Sequence, residues 1–180
     1  MLGIKIIIYS LIFLTCSAIG LLKSQKYTHR VNELKEFKNG LNMFKTKIRF
    51  TYEPLPEIFK QISGSISPSI GSIFKIASHN MKFYAAGDAW VKAIDTDILN
   101  INVEDKNILK DLSKLLGATD LQGQISQIEL TENFLDEQIK KAENEREKSE
   151  SMYRKLRYGY RLRNSYSVSI ILKEKEILWK

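Results

Sequence analysis

Apolar residues recur every three or four positions along most of this chain, and that period commits it to helix. Val31, Leu34, Phe37, Leu41, Phe44 and Ile48 lay one apolar face along a first long helix. The helix stops before Pro54, because the residue preceding a proline avoids the helical region. Pro54-Leu55-Pro56-Glu57 reads as the next start: Pro56 suits the first helical position, where no backbone N–H is needed, and the dipole favours Glu57. Ile58, Phe59 and Ile62 supply its apolar face. Ser63 to Ser72, rich in Ser and Gly and holding Pro68, is a loop or helix break. Its glycines lack the Gly-Lys-Ser/Thr of a phosphate loop. Ile70, Ile73, Phe74, Ala77 and Met81 mark a third helix. Gly87-Asp88 then punctuates the chain, with Asp88 as N-cap, before Trp90, Val91, Ile94, Ile98 and Ile101.

Asn102 is the next candidate N-cap, with Glu104 and Asp105 in the first turn. Ile108, Leu109, Leu112, Leu115 and Leu116 form that helix's buried stripe, and Gly117 is its stop. Thr119-Asp120-Leu121-Gln122 matches a capping box, with Thr119 as N-cap and Gln122 reaching back. Leu121, Ile125, Ile128, Leu135, Ile139 and Ala142 keep the period beyond it. The charge-laced stretch 143–150 continues one long helix from about 120 to 156, antiparallel to the first. The expected fold is all-α: an N-terminal transmembrane helix, then a compact antiparallel helical bundle with long first and last helices.

The membrane expectation comes from Ile6 to Leu22, which contain no charged residue. As a helix these 17 residues rise roughly 26 Å, close to the thickness of a hydrocarbon core. A cleaved signal peptide at Ala18-Ile19-Gly20 and a lipidated Cys16 are the alternatives, and both lack well-formed recognition residues. The net charge of +7 is concentrated at two places: residues 23–49 sum to +6 and residues 157–180 to +4. Residues 50–156 sum to −4. By the positive-inside rule this puts residues 23 onward in the cytoplasm. Basic ends beside an apolar segment point to a membrane surface, not to nucleic acid, which calls for a basic stripe across the fold.

No catalytic, cofactor or metal constellation emerges. One cysteine excludes an intramolecular disulfide. His29 and His79 have no second ligand or nucleophile at useful spacing, and Asp95/Asp97 and Asp136/Glu137 read as solvated helix faces. Trp90 and the phenylalanines sit at core spacing. No small-molecule substrate is implied.

Four segments resemble the stage III sporulation protein AB family. They are Phe50-Thr51-Tyr52-Glu53-Pro54-Leu55-Pro56-Glu57, Ala86-Gly87-Asp88-Ala89-Trp90, Leu116-Gly117-Ala118-Thr119-Asp120-Leu121-Gln122-Gly123-Gln124 and Met152-Tyr153-Arg154-Lys155-Leu156. The resemblance runs in order from residue 1 to about 156. It implies a helical domain similar to the cytoplasmic domains of the type II secretion inner-membrane platform protein. It also implies membership of a secretion-like assembly in the mother-cell membrane facing the forespore. A neighbour there, stage III sporulation protein AA, looks like a secretion ATPase that a cytoplasmic domain here can contact. The family has no catalytic residues to carry over. Tyr52, Pro54, Leu55, Pro56, Glu57, Trp90, Gly117, Thr119, Asp120, Gln122, Gly123 and Gln124 are the candidate interaction or structural residues. Gly117 to Gln124 is either an interaction surface or only a helix stop followed by a capped start. A generic membrane-anchored adaptor and an anionic-lipid-binding regulator are the competing functions.

The resemblance fails after Leu156, where the family has a second apolar helix. Here the chain turns basic, Arg157 to Arg163, and then alternates Ser165, Tyr166, Ser167, Val168, Ser169, Ile170. That is strand patterning with no partner strand. Two readings stand: a frameshift that replaces a second transmembrane helix, for which permitted codons encode an apolar helix in the neighbouring frame, or a genuine basic tail lying on anionic lipid. The domain expectation is therefore an anchor over 1–22, a bundle over 23–156 and an atypical tail over 157–180.

Overall fold

A computed structural model describes the backbone of residues 2–96 and 99–177, and the side chains of 8, 9, 11, 15, 25–96 and 99–151. Among these residues the only regular secondary structure is helix, joined by short turns. Helix α1 is Leu2–Phe50, α2 Leu55–Ser63, α3 Pro68–Asn80, α4 Ala86–Thr96 and α5 Val103–Asp111. A single 3₁₀ turn, Leu112–Lys114, leads towards α6, Leu121–Ile177. The chain divides into two units, one of Lys26–Glu143 and one of the segments up to Gln25 and from Asn144. The first carries the core.

That core matches the apolar period. Val31, Leu34, Phe37, Leu41 and Phe44 of α1 are buried together with Ile58, Phe59 and Ile62 of α2 and Ile70, Ile73, Phe74 and Ala77 of α3. Trp90, Ala93 and Ile94 of α4, Leu109, Leu112 and Leu116, and Ile128, Leu135, Ile139 and Ala142 of α6 complete it. Phe59 is the hub of its aromatic part, with ring centroids 5.0 Å from Phe44, 5.3 Å from Phe74 and 5.7 Å from Trp90. Edge-on rings at such distances add to the burial of their area.

Between residues 35 and 143, α1 and α6 run antiparallel, as ion pairs show. Lys35 meets Glu143 at 2.6 Å, Lys38 meets Asp136 at 2.6 Å and Lys45 meets Glu132 at 2.5 Å. Numbers rise on one helix as they fall on the other. Asp136 is thus one end of a salt bridge, and Asp95 likewise pairs with Lys110 at 2.5 Å.

Several local expectations are corrected. The break at Ser63–Ser72 narrows to 64–67, because Pro68 opens α3 instead of interrupting it. Pro56 takes the second helical position, with Leu55 at the first and Pro54 as N-cap; its missing N–H is equally harmless there. Asp88 is not an N-cap: α4 begins at Ala86 and holds Asp88 in its first turn. Asn102 is one, with a reciprocal box to Asp105. Leu115 is exposed, since the 3₁₀ turn before it advances the chain three residues per turn and shifts the buried stripe out of phase. Leu121 is exposed as well, at the first position of α6.

The strand-like alternation over 165–170, which has no partner strand in the sequence, lies in helix, because α6 runs to Ile177. A lone strand leaves its backbone groups unpaired, whereas a helix satisfies them within the segment. Among the described residues no helix is long and apolar enough to cross a membrane. Apart from Ile8, Tyr9, Leu11 and Thr15, the side chains of Ile6–Leu22, Cys16 included, lie outside the described residues, as do Asp97 and Ile98.

Candidate functional site

Three of the four family-like segments meet at one end of the bundle, where α1 ends and α6 begins. Gly117 is their meeting point. It takes φ of 72°, which side chains other than hydrogen rarely tolerate. A Cβ there would lie 3.1 Å from Ala86 Cβ and 3.3 Å from Leu55 Cδ1. So the turn after Leu116 packs against the start of α4 and the start of α2. Gly87 reinforces this: its Cα faces the carbonyl oxygen of Ser113, and a Cβ would collide with it. The C-terminal part of α3 reaches the same end through Ser78 Oγ, which donates to the Pro56 carbonyl at 2.8 Å.

The predicted capping box does not form, and the N-cap sits one residue later than expected. Asp120, not Thr119, caps α6, its Oδ1 accepting from the Gly123 N–H at 3.0 Å. Thr119 Oγ1 donates to that carboxylate at 3.2 Å. The residue reaching back is Gln124, whose Nε2 donates to the Thr119 carbonyl at 3.2 Å. Gln122 is exposed. Trp90 is not at the surface: it is fully buried, and its Nε1–H donates to the Leu109 carbonyl at 2.7 Å.

Among its exposed charged residues this end also presents large apolar side chains to solvent. Phe50 is 74% exposed, Tyr52 fully exposed and Phe83 71% exposed. Tyr84, Leu115 and Leu121 are exposed too. Pro54 and Glu57 complete the exposed edge beside Tyr52. Lys92 Nζ sits 4.4 Å from the centre of the Tyr84 ring, and His79 packs edge-on to Phe83 at 5.8 Å. Phe50, Phe83 and Tyr84 escaped sequence reasoning, which assigns aromatics to the core by default.

The opposite end is built from charge. Arg30 Nε donates to Asp105 Oδ2 at 2.8 Å and Nη2 to Oδ1 at 3.1 Å, a two-pronged contact with both residues buried. Arg30 Nη2 also donates to Gln138 Oε1 at 3.4 Å. Glu33 accepts from the Asn100 backbone N–H and Nδ2, each at 2.7 Å. Glu36 accepts from the Ser67 N–H at 3.0 Å. One sequence signal points to this network: Arg30 and Glu33 fall in phase with the apolar stripe of Leu34, Phe37 and Leu41.

Among the described residues no group of three or more His, Cys, Asp or Glu side chains is placed to hold a metal ion. His29 and His79 are exposed.

Comparison with known proteins agrees with this architecture. The family model for stage III sporulation protein AB matches residues 5–158. Stage III sporulation protein AB of Bacillus subtilis (strain 168) is 23% identical over 141 residues, covering 76% of this chain and 82% of that protein. A solved structure of stage III sporulation protein AB superposes with a TM-score of 0.62 at 20% identity, over 66% of this chain and 96% of that one. The structural likeness speaks for the fold. Taken with the match over residues 5–158, the chain belongs to the stage III sporulation protein AB family.

Proposed function

We propose that this protein works by docking: it is a non-enzymatic, membrane-anchored platform subunit of a sporulation secretion-like assembly, and its partner is the AA-type secretion ATPase of that assembly. The observation that carries the reading is the convergence at Gly117. Segments around Tyr52, Trp90 and Gly117, far apart in sequence, share one end of the bundle, and that end is rimmed by exposed Phe50, Tyr52, Phe83 and Tyr84. Exposed apolar surface of this kind marks association sites. The anchor rests on the charge-free run Ile6–Leu22 and on the exposed Ile8, Tyr9 and Leu11 along α1. The basic flank over 23–49 supports a cytoplasmic, mother-cell placement of the bundle. Family membership supports the sporulation role.

The test is co-purification from membranes of sporulating cells with the neighbouring gene products, comparing the natural chain with a Tyr52→Ser/Phe83→Ser double variant. Both side chains are exposed, so each substitution changes stability by within about 0.5 kcal/mol. The natural chain is expected in the membrane fraction with the ATPase, and the variant in the membrane fraction without it. Equal recovery of the ATPase with both chains refutes the docking surface. Recovery of the natural chain as a freely soluble species after a salt wash refutes the anchor.

A further inference from the structure

We propose that α5 is a latched strap, a helix that opens as a unit while the rest of the bundle stays folded, and that the Arg30–Asp105 contact is its latch. The inference does not depend on the docking reading above.

The first support is what holds α5 down. Of its nine residues only Asp105 and Leu109 are buried, whereas α3 buries five. Val103 is 76% exposed. Ile108 packs partly buried against the core, and the remaining attachments are polar: the Arg30 fork, the Trp90–Leu109 hydrogen bond, Lys110 with Asp95, Lys141 with Glu104 at 3.1 Å, and Gln127 Nε2 donating to the Asp111 carbonyl at 3.2 Å. Opening gives up the burial of Leu109 and part of Ile108 and uncovers one side of Trp90, less apolar contact than α3 would surrender, and apolar area is what water penalises. The ions behave differently. Arg30 and Asp105 each gave up hydration to meet, and on separation each is hydrated again. A buried ion pair is therefore a specific fastener that releases at modest cost.

The second support is cooperativity. Nine residues are too few to stay helical alone, so α5 loses its helix when it leaves the surface. Asp105 links release to the loss of structure through one carboxylate. Its Oδ2 takes both the Arg30 Nε–H and the Asn102 N–H at 2.9 Å, while its own N–H donates to Asn102 Oδ1 at 2.7 Å. Moving Asp105 off Arg30 undoes the helix cap in the same step. The indole N–H of Trp90 then loses the Leu109 carbonyl, which makes Trp90 a built-in reporter.

The test is native-state hydrogen exchange on the full-length chain in detergent micelles. In the natural protein, amides of α5 are expected to exchange through an opening about tenfold or more frequent than the one that exposes α3 and α4. Arg30→Met removes charge-assisted bonds and should speed α5 exchange roughly tenfold to a hundredfold further, with α3 and α4 unchanged. Arg30→Lys should fall between. In a Trp179→Phe background, Trp90 fluorescence should become more accessible to acrylamide in the Arg30→Met chain. Exchange of α5 at the same rate as α3 and α4 in the natural protein overturns the proposal and needs no variant to be folded. Uniform acceleration across all helices in Arg30→Met, or its failure to fold, also overturns it.

Discussion

At the Arg30 end of the bundle, returning loops are received by charges projecting from α1; at the Gly117 end they are closed by glycine backbone and apolar contact. Arg30, Glu33 and Glu36 hold Asp105, Asn100 and Ser67 respectively. Gly117 and Gly87 let Leu55, Ala86 and Ser113 approach. The two chemistries leave different surfaces behind. A charged receptor turns its partner's polar groups inward and needs every one satisfied. A glycine closure makes no demand on neighbouring side chains, so Phe50, Tyr52, Phe83 and Tyr84 are free to face outwards. The docking surface proposed above would thus sit where the fold does not depend on the exposed side chains.

The largest expected effect sets the scale for this contrast without favouring either end. Phe59→Ala empties the hub that touches Phe44, Phe74 and Trp90 and should cost about 3–5 kcal/mol in chemical denaturation. A loss under about 1 kcal/mol would mean that the aromatic cluster does not organise the core. Glu33→Ala comes next. It strips two hydrogen bonds to a carboxylate from Asn100 and should cost about 1.5–3 kcal/mol, with Glu33→Gln recovering part of it. No difference between the Ala and Gln variants would show that the charge of Glu33 is irrelevant to closing its end.

Gly117→Ala probes the other closure. The left-handed backbone and the 3.1 Å approach of Ala86 together should cost about 1–2 kcal/mol. The same variant displaces the segments that carry Leu55 and Ala86, so it should also weaken ATPase recovery in the membrane test. Tyr52→Ser should weaken recovery with no stability loss. If Gly117→Ala unfolds the chain at no lower denaturant than the natural protein, the glycine closure is not what fixes that end.

Most of the core was legible because burial follows the helical period: Val31 to Phe44 on α1 and Ile128 to Ala142 on α6 are buried as the spacing requires. The misreadings arise where two local rules compete. Thr119 and Asp120 are both good caps, and only the phase of the first turn decides that Asp120 meets the Gly123 N–H. Leu115 keeps the α period in sequence, but a 3₁₀ turn carries it outwards. The alternation over 165–170 is not one of them: it has strand patterning without a partner strand, and in the all-α fold it is helix. Of the candidate site, the segments were legible and their meeting was not. Nothing in a list of residues says that Leu55, Ala86 and Gly117 touch.

The smallest expected effect lies at the surface of the charged end, and it separates exposed from buried charge there. Glu104, exposed at the start of α5, has its carboxyl held below the ordinary carboxylate value by hydrogen bonds from Lys141 and then Gln138. A group whose value is lowered on folding stabilises the fold at neutral pH, above its unfolded value. That contribution disappears as pH falls through the lowered one. Lys141→Met should therefore open a small stability gap from the natural chain near neutrality, and the gap should close on acidification past the ordinary carboxylate range. Because the pair is exposed, molar salt should close it as well. The Arg30–Asp105 contact, shielded from solvent, should respond far less to salt. Thermal unfolding of the two chains across pH, at low and high salt, decides the matter. A gap that survives in strong acid, or that salt leaves untouched, would mean that Lys141 acts through packing of its stem and not through its charge.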